Sequence, residues 1–273
     1  MPNIQILSRD RHAGKRWQRY TSYAHTAADA VAHLVLPELS RACVAMPIGF
    51  IRVQGGYAPV AVQGLEPGRN ACVADDGRWL ADYIPAAYRS HPFALGISQT
   101  GQPVLCIDED SSLLSDTKGE LFYDKHGEPT SFLKDILDFM VHVARQRRTT
   151  QRICAVLEKF ALLEPWPIRQ ETDAGPQTNE GLHRIDKTAL KNLSAAALHE
   201  LKLAGALPVI YCQLLSTQHV PKLVRLTQRR AADRAAAPLA PAGDLDLEFL
   251  NNGGTISFGD AAHLFMHGCE VNS

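Results

Sequence analysis

Short apolar runs, each broken by a glycine-containing turn, fill the first 110 or so positions of the chain. Phe50 to Val53 and Tyr57 to Val62 flank Gly55-Gly56, a two-glycine hairpin signal. Ala71 to Ala74 and Trp79 to Tyr83 flank Asp75-Asp76-Gly77-Arg78, and Phe93 to Ile97 and Val104 to Asp108 flank Gln99-Thr100-Gly101-Gln102. Three hairpins in succession predict an antiparallel sheet, because parallel strands need a long crossover between them. A short helix is expected over Pro85 to Ser90, and a longer one from Ala27 to Leu36 or Ala42.

The period changes after about residue 120. Thr130 or Ser131 can cap a helix carrying Phe132, Leu133, Ile136, Leu137, Met140, Val143 and Ala144, spaced three and four apart on one stripe. A second helix is expected from Thr149 or Thr150, carrying Ile153, Val156, Leu157, Phe160 and Leu163 until Pro165-Trp166-Pro167 stops it. The basic cluster Arg145 to Arg148 lies between the two, and residues 169 to 180, with Gly175-Pro176, read as a polar loop. Ser194 caps a helix over Ala195 to Ala204, Gly205 closes it, Leu207 to Leu215 continues, and Val220 to Arg230 makes the last helix. Ala231 to Gly243 is Ala/Pro-rich and linker-like, followed by a terminal hairpin from Leu245 to Phe249 and Thr255 to Phe258 around Asn251-Asn252-Gly253-Gly254.

These elements define an α+β protein with a β-rich antiparallel N-terminal half built of hairpins and a helical C-terminal half. The expected organisation is a β-rich region over 1–120 and a helical region over 121–230, separate or continuous with the first. A linker, hairpin and tail follow over 231–273.

Composition narrows the function classes. With 45% hydrophobic residues in 273, a sizeable core is available, and 28 Lys plus Arg against 29 Asp plus Glu leaves a net charge of -1. That balance offers no global field for nucleic acid. The N-terminus lacks a basic start followed by a long apolar run, and the longest apolar stretch, Leu203 to Leu215, is too short for a membrane span and reads as buried core. A cytoplasmic protein is expected, with the cell surface, reached without a cleaved signal, as the alternative. Cys43, Cys72, Cys106, Cys154, Cys212 and Cys269 form no C-x-x-C pair, so they read as small buried hydrophobes, Cys269 in the tail excepted.

No phosphate-cradling glycine loop, nucleophile elbow or zinc-helix motif is present, so no catalytic residue and no cofactor is named. His263 and His267 are four apart but lie near the end of the chain without a following glutamate. Three segments carry candidate chemistry. Asp108-Glu109-Asp110, followed by Asp116, Glu120, Asp124 and Glu128, is the place to look for a divalent cation, with Asp108 and Glu109 foremost and His126 or His91 as companion. The segment from Asp82 to Phe93 groups Tyr83, Tyr88, Arg89 and His91 around a short helix. Stacking and a bidentate guanidinium contact there suit a planar or anionic ligand. His12 sits among Arg9, Arg11, Lys15, Arg16 and Arg19, with Trp17 and Tyr20 interleaved.

Several of these segments together resemble the bacterial SapC family. The matching pieces are Gly64-Leu65-Glu66-Pro67-Gly68-Arg69-Asn70, Asp76-Gly77-Arg78-Trp79, and Tyr83-Ile84-Pro85-Ala86 with Arg89, Pro92 and Phe93. Cys106-Ile107-Asp108-Glu109, Gly119-Glu120-Leu121-Phe122, Gly127-Glu128-Pro129-Thr130 and Leu162-Leu163-Glu164-Pro165-Trp166-Pro167 follow in order. Arg184-Ile185-Asp186 runs on to Gly205-Ala206-Leu207-Pro208-Val209-Ile210-Tyr211, and Asp244-Leu245-Asp246 and Thr255-Ile256-Ser257-Phe258 resemble the family's ending. The resemblance implies a protein named for a surface layer and sometimes labelled a peptide-transporter permease. Relatives lie beside genes for outer-membrane receptors and flavin-dependent halogenase-like proteins. An accessory or binding role in uptake or modification of an organic nutrient follows as the expectation. A small organic ligand or a protein is the expected partner, and nucleic acid is not; self-association stays open. An enzyme with an acidic-loop metal site and a surface-layer structural subunit are the alternatives.

Overall fold

The computed structural model describes residues 3–172 and 175–236. Its centre is a five-stranded antiparallel sheet in the order Leu163–Pro165, Leu182–Ile185, Ile48–Val53, Gly56–Val62, Val31–His33. The expected hairpin around Gly55-Gly56 forms its middle, with Val53 paired to Gly56. Gly55 and Gly56 turn at φ +86° and +132°, a region side chains avoid.

Both faces of this sheet are covered, which is why its middle strands read as nearly unbroken apolar runs rather than strict alternations. Ile48 and Phe50 face a core shared with Ile153, Cys154, Leu157, Leu201, Val209 and Ile210 of the helices. Ile51, Val60 and Val62 face the other way, against Trp166, Ile168, Leu182 and Leu223. A third core lies apart. There Ile4–Ile6, Pro103–Asp108 and Phe93–Ile97 form one small sheet and Leu114–Ser115, Arg16–Trp17 and Glu120–Leu121 another. Trp17, Phe93, Ile107, Phe122 and Leu133 pack between them, with Trp17 stacked on Phe132 at 4.5 Å.

The two expected helices beyond Thr130 are one helix, Ser131–Lys159. Thr150 does not cap a new helix. Its hydroxyl donates back to the Gln146 carbonyl at 2.7 Å and accepts from the Leu36 backbone N–H at 2.9 Å, so the ladder passes through the basic cluster unbroken. A helix of 29 residues spans about 44 Å, long enough for its first half to serve the third core and its second half the central one.

That helix ends at Lys159, before Leu163, in a closure normally built on glycine. Ala161 N–H donates to the Glu158 carbonyl at 2.9 Å and Leu162 N–H to the Leu157 carbonyl at 3.0 Å, which places the exposed Ala161 at φ +49°. A β-carbon in this region costs about 1 kcal/mol. Ala161→Gly is therefore expected to raise the unfolding free energy by roughly 0.5–1 kcal/mol, read by urea unfolding at an unchanged m-value. A lower midpoint for the glycine variant contradicts this assignment.

Other expectations are corrected. Residues 27–42 are not a helix: they form the edge strand Val31–His33, a 3-10 turn at Leu36–Glu38 and one turn of helix at Leu39–Ala42. Pro37 at the start of that turn and β-branched Val31 and Val35 disfavour a longer helix. The segment 71–83 is a tight turn with a single bridge between Val73 and Trp79, not a paired hairpin. Residues 169–180 are not a loop, because Ile168–Thr172 and Gly175–Asn179 pair as a hairpin. Pro85 to Ser90 shortens to a 3-10 turn at Ala86–Tyr88.

Toward the C-terminus, Ser194 Oγ accepts from Ala197 N–H at the head of Ala195–Leu203, and Gly205 at φ +72° leads into Ala206–Ser216. Only one face of that segment is core. Val209 and Ile210 are fully buried, whereas Leu203, Tyr211 and Leu215 are 74%, 57% and 62% exposed. The last helix, Val220–Ala236, extends beyond Arg230 into the expected linker. The expected terminal hairpin, His263, His267 and Cys269 lie outside the described residues. Among the described residues no helix is long and apolar enough to cross a membrane.

Candidate functional site

The segment 79–91 is held from below by a carboxyl group that the sequence did not single out. Glu38, 6% exposed, accepts from Val35 N–H at 2.9 Å through Oε1. Its Oε2 accepts from the Tyr83 hydroxyl and from Ala86 N–H, both at 2.8 Å. Burial, then the charge of Glu38, pushes the Tyr83 phenol up to about 12. Trp79 Nε1 donates to the Tyr83 carbonyl at 2.9 Å. Arg89 directs Nε and Nη2 to the Ile84 carbonyl and lies 5.3 Å above the Tyr83 ring, so its expected bidentate contact is made within the chain. None of those bonds involves Nη1. Tyr88, 5% exposed, donates to Gln63 Oε1 at 2.7 Å, and Asn70 Nδ2 joins the same oxygen at 3.3 Å.

Above this base lies a cluster of rings. His25 and His91 stack face to face, 3.7 Å between centroids at 8°. Tyr20 stands edge-on to both, at 5.5 Å from His25 and 6.1 Å from His91. Tyr23 continues the cluster to Trp79 at 5.3 Å, and Trp79 reaches Tyr88 at 5.9 Å. Arg89 is close enough for its charge to act on the Tyr20 phenol, which burial nonetheless pushes up to about 12. Burial, then the neighbouring His91, pulls His25 down to about 4, and burial also lowers His91 against the opposing charge of Asp108. At neutral pH both imidazoles and the phenol are uncharged, leaving a π-surface with one guanidinium beside it.

Of the expected site residues, Tyr83, Tyr88, Arg89 and His91 thus come together, and Asp108 is near enough to act on His91. Tyr23 and His25, outside the expected set, join them, together with Tyr20 of the basic stretch. Their signal was local: three rings within six residues, Tyr20-x-x-Tyr23-x-His25.

The acidic loop behaves differently. Asp108 Oδ1 accepts from Asn3 and Asp110 backbone N–H groups at 3.0 and 3.2 Å, tying the loop to the N-terminal strand. Glu109 pairs with Arg11 at 2.9 Å, and its other carboxyl oxygen lies 3.2 Å from His12 Nε2. His12, 1% exposed, is anchored through Nδ1 at Ser8 and stands edge-on to Phe122. His126 is on an exposed turn shaped by Asp124. Among the described residues no group of three or more His, Cys, Asp or Glu side chains is placed to hold a metal ion.

The glycine-rich motif after the central hairpin shapes the adjoining loop. A β-carbon on Gly64 would collide with the Arg69 carbonyl, so only glycine lets the chain fold Leu65–Arg69 back on itself.

The class of protein is therefore an α+β fold, with a doubly covered antiparallel sheet and a ring cluster at its flank. The SapC family model matches residues 7–223, and the chain belongs to that family. The match ends before Asp244-Leu245-Asp246 and Thr255–Phe258, the segments read as the family's ending. No curated protein and no solved structure matches the chain.

Proposed function

We propose that this SapC-family chain is a binding or accessory protein that takes a small planar organic acid on the ring cluster. The observation that carries the reading is the His25–His91 stack, 3.7 Å apart and uncharged at neutral pH, beside Tyr20 and the Arg89 guanidinium. The neutral imidazoles, His25 exposed and His91 half-buried, present a flat π-face on which an aromatic ring can lie. The exposed Arg89 guanidinium, held at Ile84 and over the Tyr83 ring, supplies a cation for a carboxylate at the ring's edge. An organic nutrient in uptake or modification fits this chemistry, and Trp79, Tyr83 and Arg89 at the base of the site stand in segments that resemble the family.

Trp79 reports on the site, because Trp17 and Trp166 are buried in other cores. Indole-3-acetate and benzoate are expected to change Trp79 emission, whereas cyclohexane-acetate is not. His91→Ala should weaken binding about tenfold, equivalent to about 1.4 kcal/mol, and Arg89→Ala should abolish the preference for the acid over its amide. Absence of any response in the unaltered protein, or equal affinity in His91→Ala, contradicts the proposal.

A further inference from the structure

One small sheet of the third core ends in a strand whose outer edge meets no other strand among the described residues. In the order Ile4–Ile6, Pro103–Asp108, Phe93–Ile97, the last strand pairs with Pro103–Asp108 alone. The ladder fixes which of its backbone groups face outward. Asp108 N–H donates to the Pro92 carbonyl and Ser98 N–H to the Gln102 carbonyl, so the even-numbered positions bond inward across the hairpin. Phe93, Leu95 and Ile97 therefore turn N–H and C=O to the outside. Phe93 N–H is taken by the Ser90 carbonyl at 2.7 Å. The N–H groups of Leu95 and Ile97 and the carbonyls of all three take no hydrogen bond among the described residues.

Such an edge is a template for a further strand, and proteins ordinarily guard it with charge, proline or brevity. Other sheet edges of this chain carry those guards. Leu163–Pro165 holds Glu164 and ends in proline, Ile4–Ile6 and Val31–His33 are three residues long, and Ile168–Thr172 carries Arg169 and Glu171. Phe93–Ile97 has none of them. It is five residues of apolar side chains and glycine, inside a stretch from Pro92 to Ile107 that contains no charged residue. Its last side chain, Ile97, is 54% exposed.

We infer that Phe93–Ile97 pairs with the same strand of a second copy of this chain across a two-fold axis, joining two three-stranded sheets into one antiparallel sheet. A two-fold axis makes the pairing antiparallel, with the same patch used by both copies. With Leu95, the middle residue, on the axis, each Leu95 N–H donates to the Leu95 carbonyl of the other copy. Each Ile97 N–H donates to the Phe93 carbonyl of the other copy. The outward donor this register leaves over is Phe93 N–H, which Ser90 already satisfies.

The side chains match under the same rotation. Positions 93, 95 and 97 share one face of the strand, that of the third core, where Phe93 is buried. Leu95 then meets Leu95, and the exposed Ile97 lies across from Phe93, an apolar cross-strand pair. With no charge in the hairpin, none opposes another across the axis. The edge complements itself in donors, acceptors and apolar surface, which favours a second copy over an unrelated strand. No ring of the ligand cluster lies on Phe93–Ile97, so the dimer and the ligand reading fail separately.

Sedimentation equilibrium of the full chain over a wide concentration range is expected to show a rise from one chain to two. Ile97→Pro deletes an outward donor at an edge position that tolerates proline, and Ile97→Lys places a charge there. Both should weaken association at least tenfold with an unchanged circular dichroism spectrum, whereas Tyr211→Ser, on the exposed face of Ala206–Ser216, should leave it intact. Amide hydrogen exchange reads the register itself. The Leu95 and Ile97 amides should slow at least tenfold as concentration rises, while Ala94 and Gly96, bonded inward in either state, do not change. A monomer at every concentration, a dimer that survives Ile97→Pro, or Leu95 and Ile97 amides protected equally at all concentrations, the mark of a cover from the same chain, overturns the inference.

Discussion

Glu38→Ala lowers the unfolding free energy by about 4 kcal/mol, since it removes the acceptor of three buried donors at once. The three are Val35 N–H, Ala86 N–H and the Tyr83 hydroxyl, each at 2.8–2.9 Å from a carboxyl oxygen that is 6% exposed with its residue. Each donor left without a partner costs about 1–3 kcal/mol, and alanine leaves no atom that can accept. Glu38→Gln keeps one oxygen but turns an NH2 group toward the other donors, so it is expected to recover only part of the loss. Tyr83→Phe removes one donor and should cost about 1 kcal/mol alone, and much less in the Glu38→Ala background. Differential scanning calorimetry checks the series, with about 10 °C expected for Glu38→Ala at this chain length. Near-additive effects of Glu38→Ala and Tyr83→Phe contradict the direct bond.

The second large effect is on the pH dependence of stability. Burial, then the charge of Arg147, lowers His33 to about 4, and burial, then His91, lowers His25 to about 4. His91 and His183 are lowered as well, both chiefly by burial. In the unfolded chain these rings take up a proton near 6.5, and in the folded chain His25 and His33 do so near 4. Between those values the unfolded state holds more protons, so stability falls as pH drops from about 6.5 to about 4 and levels off below. His33 alone accounts for on the order of 3 kcal/mol across that window. His25 contributes less than its shift suggests, because the residue is only partly shielded and solvent screens it. Asp29 acts in the opposite sense: burial raises its carboxyl, so acid favours the folded form at that position. Urea midpoints from pH 7.5 to 4 are expected to fall, and His33→Gln should flatten the curve. A flat profile in the unaltered protein contradicts the histidine assignment.

How far the fold was legible depended on how local its causes are. The hairpin around Gly55-Gly56 was readable because two glycines at positive φ sit between apolar runs of strand length. The stripes on Ser131–Lys159 were readable too, but not their continuity, because Thr149 and Thr150 look like caps until Thr150 is seen bonding Leu36. The strands Leu163–Pro165 and Leu182–Ile185 carry almost no signal of their own. They are three and four residues long, one ends in proline, and their place comes from pairing with each other and with Ile48–Val53.

The site was half legible for the same reason. Tyr83, Tyr88, Arg89 and His91 stand within one segment and were found together. Their partners Tyr20, Tyr23 and His25 come from an irregular stretch whose only regular element is the 3-10 turn Ala24–Thr26. Stacking between His25 and His91 is a tertiary fact with no sequence period behind it. Glu38 shows the converse signal: a lone carboxylate between Val35-Leu36-Pro37 and Leu39 marks a buried acceptor.

The most direct check on the ring cluster as a ligand face is aromatic proton–carbon correlation spectroscopy with indole-3-acetate added stepwise. Resonances of Tyr20, His25, Trp79 and His91 are expected to move together along one saturating curve, while those of Trp166 and Phe50 stay in place. Shifts confined to the exposed Tyr211 side, or no saturable shift at His25 and His91, contradict a binding role for the stack.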